Sequence, residues 1–116
     1  MTDDYPVFRA WYSLLDWILD RCEKLPRSVR FSLSSRIAGL GMDVLESLIE
    51  AIYARDRREI LDGANLDIEK LRVLFRICHD RRYISVAQYE HVAGRLLEVG
   101  RMIGGWRKHE AGRSPV

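Results

Sequence analysis

Apolar residues recur at three- and four-residue steps along nearly the whole chain, and this spacing constrains the fold more than any other feature. Such steps place side chains on one face of an α-helix. Alternating runs of β-branched residues, which are typical of strands, do not occur. The sequence therefore predicts an all-α fold. The clearest example is the first apolar series, formed by Phe8, Trp11, Leu14, Leu15, Ile18, Cys22 and Leu25.

Turn signals divide this pattern into four helices. Pro26 ends the first helix, because its ring disfavours a helical residue before it. Ser85 and Gln88 have the spacing of a capping box, which predicts the start of the last helix. Short connections make consecutive helices antiparallel neighbours. The four predicted helices run from about Tyr5 to Lys24, from Pro26 to a break at Gly63, from Asn65 to Asp80, and from Ser85 to Lys108.

The predicted architecture is an antiparallel up-down four-helix bundle. The chain has 116 residues, of which 47% are hydrophobic and 31% charged, a composition that suits one domain with a real core. We expect residues 1–116 to form a single domain, ordered from about residue 4 to 108, with a frayed tail at 109–116. Glycine residues Gly39 and Gly41 are expected to weaken the second helix but to let a neighbour come close.

Composition and sequence pattern also indicate the cellular compartment of the protein. The formal charge of +2 is mildly basic, so any strongly basic surface must come from segregation of charge. The N-terminus lacks the pattern of a signal peptide, and no apolar run has the ~18 residues of a membrane span. Cys22 and Cys78 are widely separated and lie in apolar surroundings, which favours free thiols. We expect a cytoplasmic protein with no membrane partner.

Motifs for catalysis are not found in the sequence. A di-iron bundle needs Glu-x-x-His pairs, but the residues three before His79, His91 and His109 are Arg76, Gln88 and Trp106. No His/Cys spacing indicates zinc, and there is no glycine-rich phosphate loop or nucleophile elbow. The sequence predicts no catalytic residue, metal or cofactor, and no enzyme.

Arginines gather in two segments, and they are the informative polar feature. In a regular helix from Pro26, Arg30 lies near the direction of Leu33 and Ile37, the face that the helix buries. A guanidinium there must find a carboxylate, line a pore or meet an anionic partner. Internal ion pairing and a binding surface both stay open. The candidate residues are Arg27, Arg30 and Arg36 in the first segment, and Arg72, Arg76, Arg81 and Arg82 in the second.

The third helix has more apolar surface than one core requires. Besides its main stripe it has a second strip, formed by Leu66, Val73 and Ile77. An unpartnered apolar strip indicates contact with another chain. We therefore expect these three residues at an interface between copies.

Several stretches together resemble a known family. They are WYSLLDWIL, EKLPRSVRFSLSSRI, LDIEKLRVLFRICHD and YISVAQYEHVAGRLLEVGRMIGGWRK, from about Phe8 to Lys108. In this order they are similar to the accessory variability determinant proteins of diversity-generating retroelements. That family belongs to a wider group of four-helix bundles, which includes proteins encoded in intervening sequences of 23S ribosomal RNA genes.

The resemblance implies a non-catalytic protein that forms a homopentameric barrel, binds the retroelement's reverse transcriptase and associates with nucleic acid. The complex copies a template RNA into cDNA with errors at adenines. The expected partners are therefore a reverse transcriptase, template RNA or cDNA, and further copies of the chain, with the seven arginines as contacts. Two alternatives stay open: a stand-alone RNA-binding bundle of the ribosomal intervening-sequence type, and a structural bundle whose arginines pair internally.

Overall fold

The computed structural model describes the backbone of residues 1–112 and the side chains of residues 1–110. Within these residues there are four α-helices and no strand, which confirms the all-α prediction. None of these helices is both long and apolar enough to cross a bilayer. The helices are α1 (Pro6–Glu23), α2 (Ser35–Tyr53), α3 (Arg58–Asp80) and α4 (Val86–Gly112).

The helices form an elongated bundle. Each helix packs against the next along the chain, and α1 also packs against α4, which closes the bundle. The described chain measures 53 × 21 × 21 Å, so the helices follow the long axis. Because α2 begins and α3 ends at the same end of the bundle, we call this end, with residues 24–36 and 81–83, the basic end.

Large apolar side chains from all four helices fill the core. Trp11, Leu48, Phe75 and Leu96 are each at most 1% exposed. The Trp11 indole Nε1 donates a hydrogen bond to the Gly41 carbonyl oxygen at 3.0 Å, which satisfies the one polar atom of this buried ring. Burial and this bond together fix α1 against α2.

Only one of the two glycines in α2 allows a close approach. A Cβ at Gly41 would lie 2.6 Å from Leu15 Cδ1, whereas a Cβ at Gly39 would meet nothing within 4 Å. The sequence prediction for Gly41 is therefore confirmed, and that for Gly39 is wrong.

This difference gives a matched pair of variants. Gly39→Ala is expected to raise the free energy of unfolding by about 0.5–1 kcal/mol, because alanine is the better helix former. Gly41→Ala gains the same propensity but overpacks the α1–α2 contact, which costs about 1–3 kcal/mol. Urea unfolding followed by circular dichroism measures both. Equal stability of the two variants would contradict the close contact between α1 and α2.

The second helix does not begin at Pro26 as predicted. Pro26 is extended, and the chain then makes a 3₁₀ turn at Arg27–Val29 and a π-helical turn at Arg30–Ser34 before α2 starts. A π-helical turn has more residues than an α-helical one, so it changes which residues face the core. Arg30 is consequently exposed, and the expectation that it borders the buried face is wrong.

The connection between α2 and α3 also differs from the prediction. It lies at residues 54–57, and Gly63, the predicted break, is inside α3. Asp56 accepts hydrogen bonds from the Arg58 backbone N–H at 3.2 Å and from its guanidinium at 2.7 and 2.9 Å, which stabilises the first turn of α3. The predicted third-helix start at Asn65 is therefore seven residues late.

A half-buried arginine holds this connection against α4. Arg57 donates to the Ala54 carbonyl oxygen at 3.2 Å, and its guanidinium carbon lies 5.2 Å from the centroid of the Trp106 ring. Its Nε is 3.9 Å from Glu110 Oε1. Side-chain contacts of this kind end α2 without any glycine or proline.

The start of α4 is as predicted, but its end is not. The Ser85 N–H donates to Gln88 Oε1 at 2.8 Å, and the Gln88 N–H donates to Ser85 Oγ at 3.0 Å, which confirms the capping box. The helix continues past Gly104 and Gly105 to Gly112, so residues 109–112 are not a frayed tail. The remaining predicted tail, residues 113–116, lies outside the described residues.

Candidate nucleic-acid and partner interface

All seven candidate arginines are exposed, and six of them have no carboxylate partner among the described residues. Only Arg72 forms an ion pair, between its Nη1 and Glu69 Oε2 at 2.8 Å. The arginines of the first segment are therefore not paired with carboxylates among the described residues. This argues against internal pairing, one of the two interpretations left open by the sequence. The six unpaired residues are Arg27, Arg30, Arg36, Arg76, Arg81 and Arg82.

The basic end brings arginines from two helices into one open groove between α2 and α3. Arg36 comes from the first turn of α2, and Arg81 follows the last residue of α3. The groove has a volume of about 980 Å³, and we call it the basic groove. Its lining includes Val29, Phe31, Leu33, Arg36, Leu40, Asp43, Ile77, Arg81 and Tyr83.

A second groove lies on the other side of the π-helical turn, between it and α1. It has a volume of about 520 Å³ and contains Arg27 and Arg30, with Glu23 and the half-buried Cys22 on the α1 side. We call it the α1 groove. The π-helical turn is therefore a ridge with two guanidiniums on each side: Arg27 and Arg30 in the α1 groove, Arg36 and Arg81 in the basic groove.

The other predicted arginines do not all join this end. Arg72 and Arg76 line a small depression between α3 and α4, together with Tyr89 and Ala93. Of the two predicted segments, Arg36 and Arg81 thus come together in one groove. Arg72 and Arg76 present a separate basic surface, and their role in binding stays a prediction.

The exit from α3 holds Arg81 and Arg82 in defined positions. The Tyr83 N–H donates to the Cys78 carbonyl at 2.8 Å and the Arg82 N–H donates to the His79 carbonyl at 3.0 Å, the two bonds of a Schellman motif. Arg82 has a φ of 62°, the left-handed conformation that glycine usually supplies. The Arg81 guanidinium carbon lies 5.8 Å from the centroid of the Tyr83 ring, and its Nε donates to the Tyr83 hydroxyl at 3.3 Å.

The predicted apolar strip is on the surface of α3. Leu66 is 57% exposed, Val73 39% and Ile77 40%. Ile77 lines the basic groove, and Val73 lines its continuation beside Leu40 and Lys70. The three side chains are thus accessible on the surface of α3, and their role as an interface stays a prediction.

Phe31 is a candidate that the sequence interpretation missed. It lies in the π-helical turn, and its side chain is 91% exposed, whereas Phe8 and Phe75 are buried. The signal was available in the sequence: Phe31 directly follows Arg30, in a stretch of residues 24–42 that contains no aspartate or glutamate.

Acidic side chains follow the basic end along α2. Asp43, Glu46 and Glu50 follow one another at helical spacing along α2 and are exposed. None of them forms an ion pair with another described residue. We call them the acidic row. It begins at the basic groove, which Asp43 lines.

The thiols and imidazoles of the described residues show no arrangement for chemistry. Burial raises the pKa of Cys22 and of Cys78 to about 11, so both stay protonated near neutral pH and are poor nucleophiles. His79 stacks on Tyr89 with ring centroids 4.7 Å apart. Within the described residues, no group of three His, Cys, Asp or Glu side chains is placed to hold a metal.

Comparison with known proteins identifies the family. A protein-family model described as bAvd-like matches residues 7–110. The chain belongs to the bAvd-like family. This result confirms the resemblance to accessory variability determinant proteins, a family of accessory, non-catalytic proteins associated with diversity-generating retroelements. A comparison of the bAvd-like chain with functionally curated proteins finds no match.

Proposed function

We propose that this bAvd-like protein is a non-enzymatic accessory factor of a diversity-generating retroelement. In this role it binds the reverse transcriptase together with template RNA or cDNA and supports mutagenic retrohoming. The observation that carries the proposal is the set of exposed arginines at the basic end, Arg27, Arg30, Arg36, Arg81 and Arg82, without carboxylate partners among the described residues.

The chemistry of these groups suits a polyanion. A guanidinium presents its donors in a planar fork that binds phosphate or carboxylate through two parallel hydrogen bonds. An arginine already paired with a carboxylate must break that pair to bind RNA, but an unpaired one only releases counterions from the phosphate backbone. The five arginines of the basic end therefore have their positive charge available for a partner.

Positive and negative charges are separated along this surface. The net charge of the chain is only +2, but the basic end and the acidic row are separate along α2. An RNA strand is attracted to the first and repelled by the second. A polymerase of mixed charge has surfaces for both, which favours a role as an adaptor between protein and nucleic acid.

Assembly of several copies is part of the proposal. Five copies in a ring would present the basic end five times, and such repetition raises the local field and the avidity for a polyanion. The strip of Leu66, Val73 and Ile77 is the apolar surface that we assign to contacts between copies.

Charged substitutions in this strip test the assembly. Val73→Glu and Ile77→Glu are each expected to dissociate the oligomer, because a carboxylate buried at an apolar contact without a partner is strongly unfavourable. Native mass spectrometry measures the subunit number, and circular dichroism checks that the monomer stays helical. An oligomer unchanged in both variants would show that copies do not meet through this strip.

Co-purification tests the proposed function directly. The tagged bAvd-like protein is expressed with a diversity-generating retroelement reverse transcriptase from the same genome, with and without the template RNA, and the complex is isolated through the tag. We expect the polymerase to be retained in at least one condition. If neither condition retains it while the protein still binds RNA, the stand-alone RNA-binding alternative is correct and the accessory role is wrong.

A further inference from the structure

We propose that the π-helical turn Arg30–Ser34 binds single-stranded nucleic acid, with Phe31 stacking on a base and the flanking guanidiniums contacting the phosphates. This rests on the proposed association with nucleic acid. It adds to the proposed function that the bound strand is single and that Phe31 contacts its bases. The strand is either template RNA or cDNA, which share the same unpaired bases and phosphates.

The exposure of Phe31 is the first observation. Its side chain is 91% exposed, the largest exposed fraction of any aromatic residue among the described side chains, whereas Phe75 is 1% exposed. No ring contact or cation–π contact of Phe31 occurs among the described residues. The ring is therefore held on a helical turn with nearly all of its surface free.

The charges around the ring are the second observation. Phe31 lines the basic groove together with Arg36 and Arg81, and its chain neighbour Arg30 lines the α1 groove together with Arg27. None of these four pairs with a carboxylate among the described residues. An aromatic ring among cations is the arrangement by which proteins bind single strands without reading their sequence.

Two features favour a single strand over other partners. In a duplex the bases are already stacked on each other, so an exposed ring finds no free base face. A protein segment with an apolar anchor would not need four exposed guanidiniums in the two adjoining grooves. Hydroxyl groups of Ser28 and Ser35, both exposed, add donors for phosphate or sugar oxygens. The acidic row repels phosphates and so confines the strand to the turn.

The test separates stacking from simple hydrophobic contact. Phe31→Leu keeps an apolar side chain but removes the π face, and Phe31→Trp keeps the π face. Since the ring has no role in the core, both variants are expected to unfold at the wild-type temperature. Tyr53→Leu is the matched control, because Tyr53 is 67% exposed and lies at the other end of α2.

Fluorescence anisotropy with labelled strands of about 12 nucleotides measures the affinities. Phe31→Leu is expected to weaken binding of single-stranded RNA or DNA by about 5- to 150-fold, the range for losing one stacked base. Phe31→Trp and Tyr53→Leu are expected to bind as the wild type does. Binding of a duplex of the same sequence should not change. An RNA arm and a DNA arm show which strand is preferred.

Three outcomes would overturn the stacking proposal: wild-type affinity of Phe31→Leu for single strands, an equal loss for single strands and duplex, or a change of subunit number in Phe31→Leu. The last outcome would place Phe31 at a contact between copies. If Phe31→Leu binds single strands normally while the polymerase still co-purifies, the stacking proposal fails and the accessory role stands. If the polymerase is not retained but Phe31→Leu loses single-strand affinity, the stacking proposal stands and the accessory role fails.

Discussion

Trp11→Ala is expected to lower the free energy of unfolding by about 3–5 kcal/mol, a large part of the ~5–15 kcal/mol that stabilises a typical domain. The ring is fully buried, and its removal leaves a cavity between α1 and the other helices. It also removes the hydrogen bond to the Gly41 carbonyl oxygen. Urea unfolding followed by circular dichroism gives the change in stability.

The neighbouring Tyr12 supplies the control for this prediction. It is 62% exposed, so Tyr12→Ala is expected to change stability by less than about 1 kcal/mol. Trp11→Phe keeps an aromatic ring in the core and is expected to fall between the two. If Trp11→Ala is as stable as Tyr12→Ala, then α1 does not pack in the bundle as described.

The second large effect is expected for nucleic-acid binding. The combined substitution Arg30→Ala, Arg36→Ala and Arg81→Ala removes three exposed guanidiniums from the two sides of the ridge. If each contact with a phosphate contributes up to about 1 kcal/mol, the affinity for RNA falls by up to roughly 150-fold. Anisotropy titration at fixed salt measures the loss.

A variant of equal charge provides the control. Arg55→Ala, Arg101→Ala and Lys108→Ala also removes three exposed cations, but these lie in the α2–α3 connection and the C-terminal half of α4, away from the basic end. We expect this triple variant to lose less than tenfold. Equal losses in the two triple variants would mean that only net charge matters and that the basic end has no special role.

Much of the fold follows from the sequence because its signals are local. The apolar spacing, Pro26 and the Ser85–Gln88 capping box act within one or two helical turns. Pro26 correctly marked the end of the first helix, although not the start of the second, and the capping box correctly marked the start of α4. The α2–α3 connection was missed because its contacts are tertiary. Arg57 binds there against Trp106, which is 49 residues away in the chain, and no glycine or proline marks the turn.

The sequence predicted which arginines form the candidate site, but not which way their side chains face. The sequence identified the arginine-rich segments, and the structure places Arg36 and Arg81 in one groove. The prediction of which residues face the core was wrong, because the π-helical turn directs Arg30 and Phe31 to solvent. Nothing in a regular 3.6-residue period predicts such a turn, and for the same reason the exposed Phe31 was not recognised.

The salt dependence of RNA binding tests the central claim, that the unpaired arginines of the basic end bind phosphates, most directly. On a single strand each neutralised phosphate contributes about 0.7 to the slope of log affinity against log salt concentration. We predict that the Arg30, Arg36 and Arg81 triple variant has a slope about 2 units smaller in magnitude than that of the wild type, and that the control triple variant keeps the wild-type slope. Identical slopes for the wild type and the basic-end variant would contradict the account.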